Sequence, residues 1–528
     1  MQPPGGERVR LAELVAALSL GIDLGFGQPM EHVLRQCLIA LRLAACLDLA
    51  ERDRAAVYYA ALLINVGCHA DAHEQAKWFG DDIALKETKY DFPVSNARAA
   101  LASMRMIGAG SPPLHRFRVG LEFMLSGHRE VDGMIEQHAE LARSLAERLE
   151  LSEQVRDAVA TSYERWDGKG FPGRVGGDDI PLTARIVQLA EYAEVAHRVG
   201  GVPAVLEMLR LRAGRQFDPS LAAVVRTRSD EVFGVLDGVS TWDAVIASEP
   251  SLTITLTAPE FDSALTAIAD FVDLKSPYTI GHARAVSELA GAAAEVLGLS
   301  ATELDLLRRA GLVQGFGRLG VSNTIWDRPG PLGAGEWERV RMHPYFAERM
   351  LHQSVALRPL AAIVVQQREL LDGSGYPRGL TGGAISRHAR VLGAANAYAA
   401  MRESRPHRPE LSPDRAAAEL RADVAAGRRD TDAVEAVLEA AGHRVPRRRE
   451  RPAGLTAREV EVLRLLARGM TNKAIAQHLV IAPKTASNHI EHIYAKIDAP
   501  NRATAGLFAV HHGLLPEEEI ATAHASRR

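Results

Sequence analysis

The sequence predicts an all-α protein, because helical patterns fill most of its 528 residues and strand patterns are scarce. Segments such as 135–150 and 283–297 are rich in Ala, Leu, Glu and Arg, and their apolar residues recur at helical spacing. Strand-type alternation is clear only at 252–257 (LTITLT). A chain of this length is expected to form about three or four domains.

The composition is that of a folded soluble protein, with 47% apolar and 24% charged residues. The formal net charge of -4 excludes a uniformly basic chain, so any surface that binds nucleic acid has to be local. Three cysteines (Cys37, Cys46 and Cys68) do not form a disulfide framework, and neither a transmembrane run nor a leader pattern is evident. We therefore expect a cytoplasmic protein without a membrane span.

An internal repeat divides the N-terminal part of the chain into a first block (10–250) and a second block (258–443). The blocks share four features in the same order. They are a histidine (His32 and His282), an apolar segment ending in glycine (62–67 and 312–317), a glycine-proline loop (166–172 and 371–377) and a later helical pattern (180–195 and 384–400). The first block carries roughly 45 additional residues, mostly at 69–125. Four matches in register indicate two copies of one helical fold.

A basic segment, RVPRRRERP at 444–452, follows the repeat. Its two prolines end helices on either side, which predicts a linker at 444–453. Such a run of charge is either a solvated tether or an arm that contacts DNA phosphates, and the sequence leaves both interpretations open.

The C-terminal segment 454–516 has the pattern of a helix-turn-helix domain. Residues 456–459 (TARE) form a predicted capping box, and Gly469 is placed to end the first helix. Thr471 is a predicted cap of a second helix, and Pro483 lies in the first turn of a third.

Residues 454–497 resemble the LuxR/GerE-type helix-turn-helix domain. The resemblance implies a four-helix domain whose third helix, at 483–496, enters the major groove of double-stranded DNA. The side chains that it places at or near the DNA are Asn472, Lys473, Lys484, Thr485, Ser487, Asn488 and His489. Lysine suits phosphates, whereas Asn488 is able to pair with adenine. Ser487 and Glu491 depart from the basic residues usual in the family, and the alternative is a helical module that docks onto a protein.

Residues 260–410 resemble the HD-GYP subfamily of HD-domain phosphohydrolases. The segments that carry the resemblance are 277–282 (PYTIGH), 308–325 (RRAGLVQGFGRLGVSNTI), 329–344 (PGPLGAGEWERVRMHP), 368–382 (RELLDGSGYPRGLTG) and 404–408 (SRPHR). The resemblance implies a helical fold that holds two or three metal ions by His and Asp residues and hydrolyses phosphodiesters, typically cyclic di-GMP.

Most metal-ligand positions implied by this resemblance hold other residues. In the second block His282, His343 and Glu369 match ligands, whereas the replacements are Gln314, Gly315, Gln367, Arg368 and Asn396. In the first block His32 and His138 remain, and the replacements are Ile64, Asn65, Ser162, Tyr163 and Glu191. These changes predict a chain that is not an enzyme and that binds neither a metal nor another cofactor.

The arginine at position 368 brings a permanent positive charge to a former ligand position. We therefore expect an anion pocket formed by His282, Arg318, His343 and Arg368, with a small anionic or nucleotide effector as its ligand.

One local cluster in the first block, Cys68, His69, Asp71, His73 and Glu74, contains residue types that bind zinc or haem. Its spacing matches no standard zinc motif, so we favour a helix end that carries polar residues.

These observations predict a DNA-binding transcriptional regulator that forms a homodimer through its helical body and uses the HD-like blocks for sensing or assembly. The alternative is an HD-type phosphohydrolase with a DNA-binding tail. A protein-interaction scaffold is a third interpretation, which would require that the helix-turn-helix domain had lost its DNA contacts.

Overall fold

The computed structural model describes residues 9–90, 106–108, 113–123, 128–234, 236, 240–250, 253–444, 452–479, 481–512 and 514. The chain forms two compact units, residues 1–443 and residues 444–528, which we call the body and the head. Residues 445–451 of the predicted linker and residues 515–516 of the predicted head lie outside the described residues. No helix in the described part of the chain is both long and apolar enough to cross a lipid bilayer.

Helices dominate the described part of the body, which confirms the all-α fold class. The α-helices of the first block are Leu11–Gly25, His32–Cys46, Glu51–Leu63, Ala72–Phe79, Asp82–Glu87, Pro113–Glu122, His128–Arg148, Glu153–Ala160, Leu182–Arg212, Pro219–Thr227, Ser229–Phe233 and Thr241–Ala247. Its 3-10 helices are Val66–His69, Thr88–Tyr90 and Gly177–Asp179.

The second block continues the same architecture. Its α-helices are Ala258–Asp273, His282–Val296, Ala301–Val313, Asn323–Trp326, Ala334–Arg341, His343–Leu351, Arg358–Val364, Arg387–Met401, Pro413–Ala425 and Thr431–Ala440. Its 3-10 helices are Phe316–Gly320 and Gly382–Ala384.

A two-stranded antiparallel sheet joins the start of the body to the segment between the blocks. Val9 pairs with Leu256 and Arg10 with Thr255, within the segment whose alternation predicts a strand. The strand pattern at 252–257 is therefore satisfied by a partner at the beginning of the described chain.

The helix Leu11–Gly25 belongs to the core of both blocks, because it contacts His32–Cys46 in the first and His343–Leu351 in the second. Nearly all of its side chains are buried. The body is accordingly one compact unit, and the boundary near residue 250 stays a prediction.

The predicted repeat is visible where helices approach each other closely. A Cβ atom on Gly67 would lie 2.1 Å from the carbonyl oxygen of His138, and one on Gly317 would lie 1.8 Å from that of His343. Only glycine permits this approach, so the two glycines mark the same packing contact in each block.

The glycine-proline loops at 166–172 and 371–377 are also built alike, and each contains a cis X-Pro peptide. The carboxylate of Glu164 accepts hydrogen bonds from two amides just after the first loop, at 2.9 and 3.2 Å. The carboxylate of Glu369 does the same after the second loop, at 2.7 and 2.9 Å. Both glutamates therefore fix the backbone of their loop.

The described head consists of the α-helices Ala457–Ala467, Asn472–His478, Pro483–Ile497 and Arg502–His511, after a 3-10 turn at Pro452–Gly454. The predicted capping box is present, since the Thr456 hydroxyl accepts the Glu459 amide and the Glu459 carboxylate accepts the Thr456 amide at 2.7 Å. Gly469 has a φ of +87° directly after the first helix, as a glycine C-terminal cap requires.

Candidate functional site

The helix Pro483–Ile497 of the head, which we call the recognition helix, has one buried and one exposed face. Ala486, Ile490 and Ile493 are buried in the head's core. Lys484 and Asn488 lie one turn apart on the exposed face. This arrangement leaves a cationic and an amide side chain available to a partner.

The other predicted DNA-contacting residues lie around this face. Thr485 and Lys473 are exposed, and His489 is half-buried. The Asn472 amide donates a hydrogen bond to the Ser487 hydroxyl at 3.2 Å, so these two side chains connect adjacent helices. The sequence interpretation missed His492, which is exposed one turn after Asn488 and which the helical period alone could have identified.

The second block contains a cavity of about 230 Å³ whose wall includes several arginines. Arg318 lies in the 3-10 helix Phe316–Gly320. Arg368 lies in the segment after the helix Arg358–Val364, and Arg405 lies in the loop after the helix Arg387–Met401. We call this space the arginine cavity. The aromatic side chains of Tyr278 and Trp326 line it as well.

Two of the predicted pocket residues, Arg318 and Arg368, thus come together in the arginine cavity. Buried nitrogens of these arginines, Nε and Nη1 of Arg318 and Nε of Arg368, have no hydrogen-bond partner. Arg405 is different, because it donates to the Tyr278 carbonyl oxygen at 2.9 Å and pairs with Glu403. Sequence reasoning missed Arg405, although it lies in the SRPHR segment that carries the HD-GYP resemblance.

The arginines of the cavity repel one another. Burial, followed by the charges of Arg405 and Arg368, lowers the pKa of Arg318 to about 10. Burial also raises the pKa of the neighbouring Asp273 carboxyl to about 7. The cavity therefore carries excess positive charge that the surrounding carboxylates only partly balance.

The predicted pocket histidines are not part of the cavity lining. Burial, followed by the charge of Arg318, lowers the pKa of His282 to about 4. Burial, Arg368 and Arg318 place the pKa of His343 well below its usual range. Both imidazoles are consequently neutral near pH 7, and both are buried.

Amide side chains occupy the interior where the resemblance implies metal ligands. The Asn396 amide donates to the Gln314 oxygen at 2.8 Å and to the Gln367 oxygen at 2.5 Å. Glu369, which matches a ligand, instead fixes the loop backbone. Among the described residues no group of three or more His, Cys, Asp and Glu side chains could hold a metal ion. These residues do not fit the implied metal centre, and we derive no reaction step through one.

In the first block, a buried lysine and a buried glutamate that pair with each other occupy the corresponding interior. The Lys89 ammonium donates to the Glu191 carboxylate and to the Asn65 oxygen, both at 2.8 Å. Tyr90 donates to the same carboxylate at 3.0 Å. Although burial opposes it, Glu191 raises the pKa of Lys89. Lys89 comes from the additional segment of the first block and neutralises a buried carboxylate.

The Cys68 cluster does not converge on one point. Cys68 contacts Tyr163, and Asp71 pairs with His138. His73, in contrast, faces the second block and lies 2.8 Å from Asp327.

Two family models match the chain. The HD domain model matches residues 128–221 and 266–432. The model described as bacterial regulatory proteins, luxR family, matches residues 453–509.

Similar proteins cover different shares of this chain. The 3'3'-cGAMP-specific phosphodiesterase 3 of Vibrio cholerae is 29% identical over 412 residues, which cover 77% of this chain and 90% of that protein. The cyclic di-GMP phosphodiesterase response regulator RpfG of Xanthomonas campestris is 30% identical over 30% of this chain and 42% of its own length. A crystal structure of a cyclic GMP-AMP-specific phosphodiesterase of V. cholerae superposes with a TM-score of 0.58 at 25% identity, covering 83% of this chain and 99% of that one.

The prediction that the chain is not an enzyme is wrong in the light of these matches, because similarity to a phosphodiesterase over most of the chain points to a phosphohydrolase. That prediction rested on single ligand positions, whereas the similarity extends over 77% of the chain. The chain therefore carries HD-domain sequence in the body, and the head matches the luxR family of bacterial regulatory proteins.

Proposed function

We propose that this protein is a DNA-binding transcriptional regulator whose HD body takes a cyclic dinucleotide as its ligand and thereby controls the head. The exposed face of the recognition helix supports the first part most strongly, since it presents Lys484, Thr485 and Asn488 to the outside. The V. cholerae and Xanthomonas relatives support the choice of ligand class.

Within this proposal Lys484 and Asn488 have different tasks. A lysine ammonium is a compact charge suited to a phosphate, so Lys484 contributes to the affinity for every DNA sequence. An asparagine amide matches the donor and acceptor of adenine, so Asn488 reads one base pair. Asn472, Lys473, Ser487 and His489 position the helix or contact the adjacent backbone.

DNA binding is tested by fluorescence anisotropy with a duplex obtained from a genomic footprint. We expect Lys484→Ala to weaken binding to specific and random duplexes alike and to reduce the salt slope by about one unit. Asn488→Ala is expected to reduce the favourable binding free energy by about 1–3 kcal/mol at one base pair and to relax the base preference at that position. Arg458→Ala, on another helix of the head, is the control. A double variant that binds as tightly as the wild type contradicts the proposal.

A homodimer is part of the same proposal, because paired heads that read two half-sites are the usual geometry of such domains. The body offers an apolar helix face for this contact, with Leu114, Phe117 and Leu121 exposed. Light scattering of the full chain at micromolar concentration is expected to give the mass of a dimer. A monomer both with and without DNA would contradict it.

Hydrolysis of the bound ligand is the second candidate function, and the 29% identity to a 3'3'-cGAMP-specific phosphodiesterase favours it. Incubation of the full chain with this dinucleotide and Mn²⁺ or Fe²⁺, followed by chromatography, measures the linear product. Formation of product that His343→Ala abolishes would establish the activity. Product formation equal in wild type and variant would assign it to a contaminant.

A further inference from the structure

We propose that Arg318 and Arg368 bind one phosphodiester group of the cyclic dinucleotide directly, so that two guanidinium groups anchor the phosphate, with Arg368 at a position where the HD-GYP resemblance implies a metal ligand. The choice of ligand class rests on the proposed function, whereas the anion site rests on the cavity itself.

The first argument is the set of unpaired donors. Nε and Nη1 of Arg318 and Nε of Arg368 are buried without a hydrogen-bond partner in the described structure. Leaving a buried donor unpaired costs about 1–3 kcal/mol, and more for a charged group. Arg368 makes one contact, from Nη2 to the Asn396 oxygen at 3.1 Å, which orients the guanidinium and leaves its Nε free. These donors are open to an acceptor from outside the chain.

The second argument is the charge balance around the cavity. The other cations are already paired, since Lys275 contacts Asp82 and Arg405 contacts Glu403. Arg408 donates to the carbonyl oxygens of Ala400 and Met401 at the end of the preceding helix. Arg318 and Arg368 make no ion pair with a carboxylate among the described residues, and both keep unpaired donors. A phosphodiester carries one negative charge and oxygens that fit the planar guanidinium fork.

The third argument is the aromatic wall. Trp326 and Tyr278 line the same cavity, and the Trp326 indole Nε1 is buried without a hydrogen-bond partner. The Arg318 guanidinium lies 5.7 Å from the centre of the Trp326 ring, so phosphate and aromatic sites are adjacent. Nucleobases stack on aromatic side chains, which assigns this wall to the base next to the bound phosphate.

The size of the cavity limits what it holds. Its volume of about 230 Å³ is below the range of about 300–1,000 Å³ that is typical of small-molecule sites. One phosphate and part of one nucleoside therefore enter, and the second nucleotide remains outside, where the exposed His407 lines the cavity.

Isothermal titration calorimetry of the full chain tests this site, with 3'3'-cGAMP and cyclic di-GMP as ligands and inorganic phosphate as competitor. We expect one dinucleotide per chain, competition by phosphate, and affinity at least about ten-fold lower in Arg318→Met and in Arg368→Gln. Gln at position 368 retains a donor for Asn396 but loses the charge. Arg378→Gln is the matched control, because Arg378 pairs with Glu348 outside the cavity.

Arg368→Lys separates a folding defect from a binding defect, since it keeps the charge and is expected to bind with intermediate affinity. Wild-type affinity in folded Arg318→Met and Arg368→Gln, or no binding of either dinucleotide by the wild type, overturns the proposal. DNA binding is measured on the same preparations. A chain that binds DNA but no dinucleotide contradicts the cavity assignment alone, whereas one that binds dinucleotide but no DNA contradicts the regulator.

Discussion

The two blocks share a close glycine contact and a glycine-proline loop, but their interiors differ in how the buried charges are paired. In the first block Lys89 from the additional segment lies against Glu191, and the buried charges cancel. In the second block the equivalent position is Asn396, which bonds to other amides while Arg318 and Arg368 keep unpaired donors. The comparison indicates that the first interior pairs its charges within the chain, whereas the second keeps cationic donors without a partner among the described residues.

The largest effect that we expect is a loss of stability when the buried lysine of the first block is replaced. Lys89→Met leaves the buried Glu191 carboxylate without its cation, and we expect a loss of about 3–5 kcal/mol in the free energy of unfolding. Chemical denaturation of the full chain measures it. Lys169→Met, an exposed lysine of the same block, is the control. The double variant Lys89→Met with Glu191→Gln should regain most of the loss, and failure to do so would mean that packing rather than charge explains the defect.

The corresponding substitution in the second block is not expected to lower the free energy of unfolding. Arg318→Met removes one of several mutually repelling guanidiniums, so stability without ligand is expected to stay equal or to rise by about 1 kcal/mol. The same denaturation experiment compares it with Lys89→Met. A loss of several kcal/mol would show that Arg318 stabilises the fold through contacts within the chain and would remove the contrast between the blocks.

The smallest expected effect is a pH dependence of dinucleotide binding. Because the pKa of Asp273 is about 7, this carboxyl gains a negative charge as the pH rises from 6 to 8 and then competes with the ligand for Arg318. His282, with a pKa of about 4, stays neutral throughout, and Arg318, with a pKa of about 10, stays charged. Affinity should therefore fall by about three-fold or more across this range.

Calorimetry at several pH values, performed in a His407→Asn background because this histidine also lines the cavity, checks the pH effect. Asp273→Asn preserves an acceptor for the Ala283 amide, now 2.7 Å from Asp273, and should make the affinity constant. An unchanged pH profile in Asp273→Asn would exclude Asp273 as its origin.

The features that the sequence predicted well are local or repeated. The capping box at 456–459, the glycine at 469 and the helix opened by Pro483 depend on neighbouring residues, and all are present. The repeated loops at 166–172 and 371–377 were recognisable because each copy predicts the other.

The features that the sequence did not predict depend on distant contacts. Lys89 meets Glu191 across 102 residues and has no counterpart in the second block, so neither the repeat nor a motif identifies it. Arg405 joins the cavity from a loop whose course depends on tertiary packing. The prediction that the chain is not an enzyme failed for a related reason, because it weighed individual ligand positions, whereas the similarity to a phosphodiesterase extends over 412 residues.

The most direct test of the account is the DNA affinity of the full chain with and without saturating 3'3'-cGAMP, measured by anisotropy on the wild type and on Arg318→Met. A coupling of about 1–3 kcal/mol between two sites corresponds to a change of about 5- to 150-fold in affinity. We predict a change of at least about five-fold in the wild type and none in Arg318→Met. Equal DNA affinities of the wild type with and without the dinucleotide, or the same shift in both proteins, would contradict a regulator controlled through the arginine cavity.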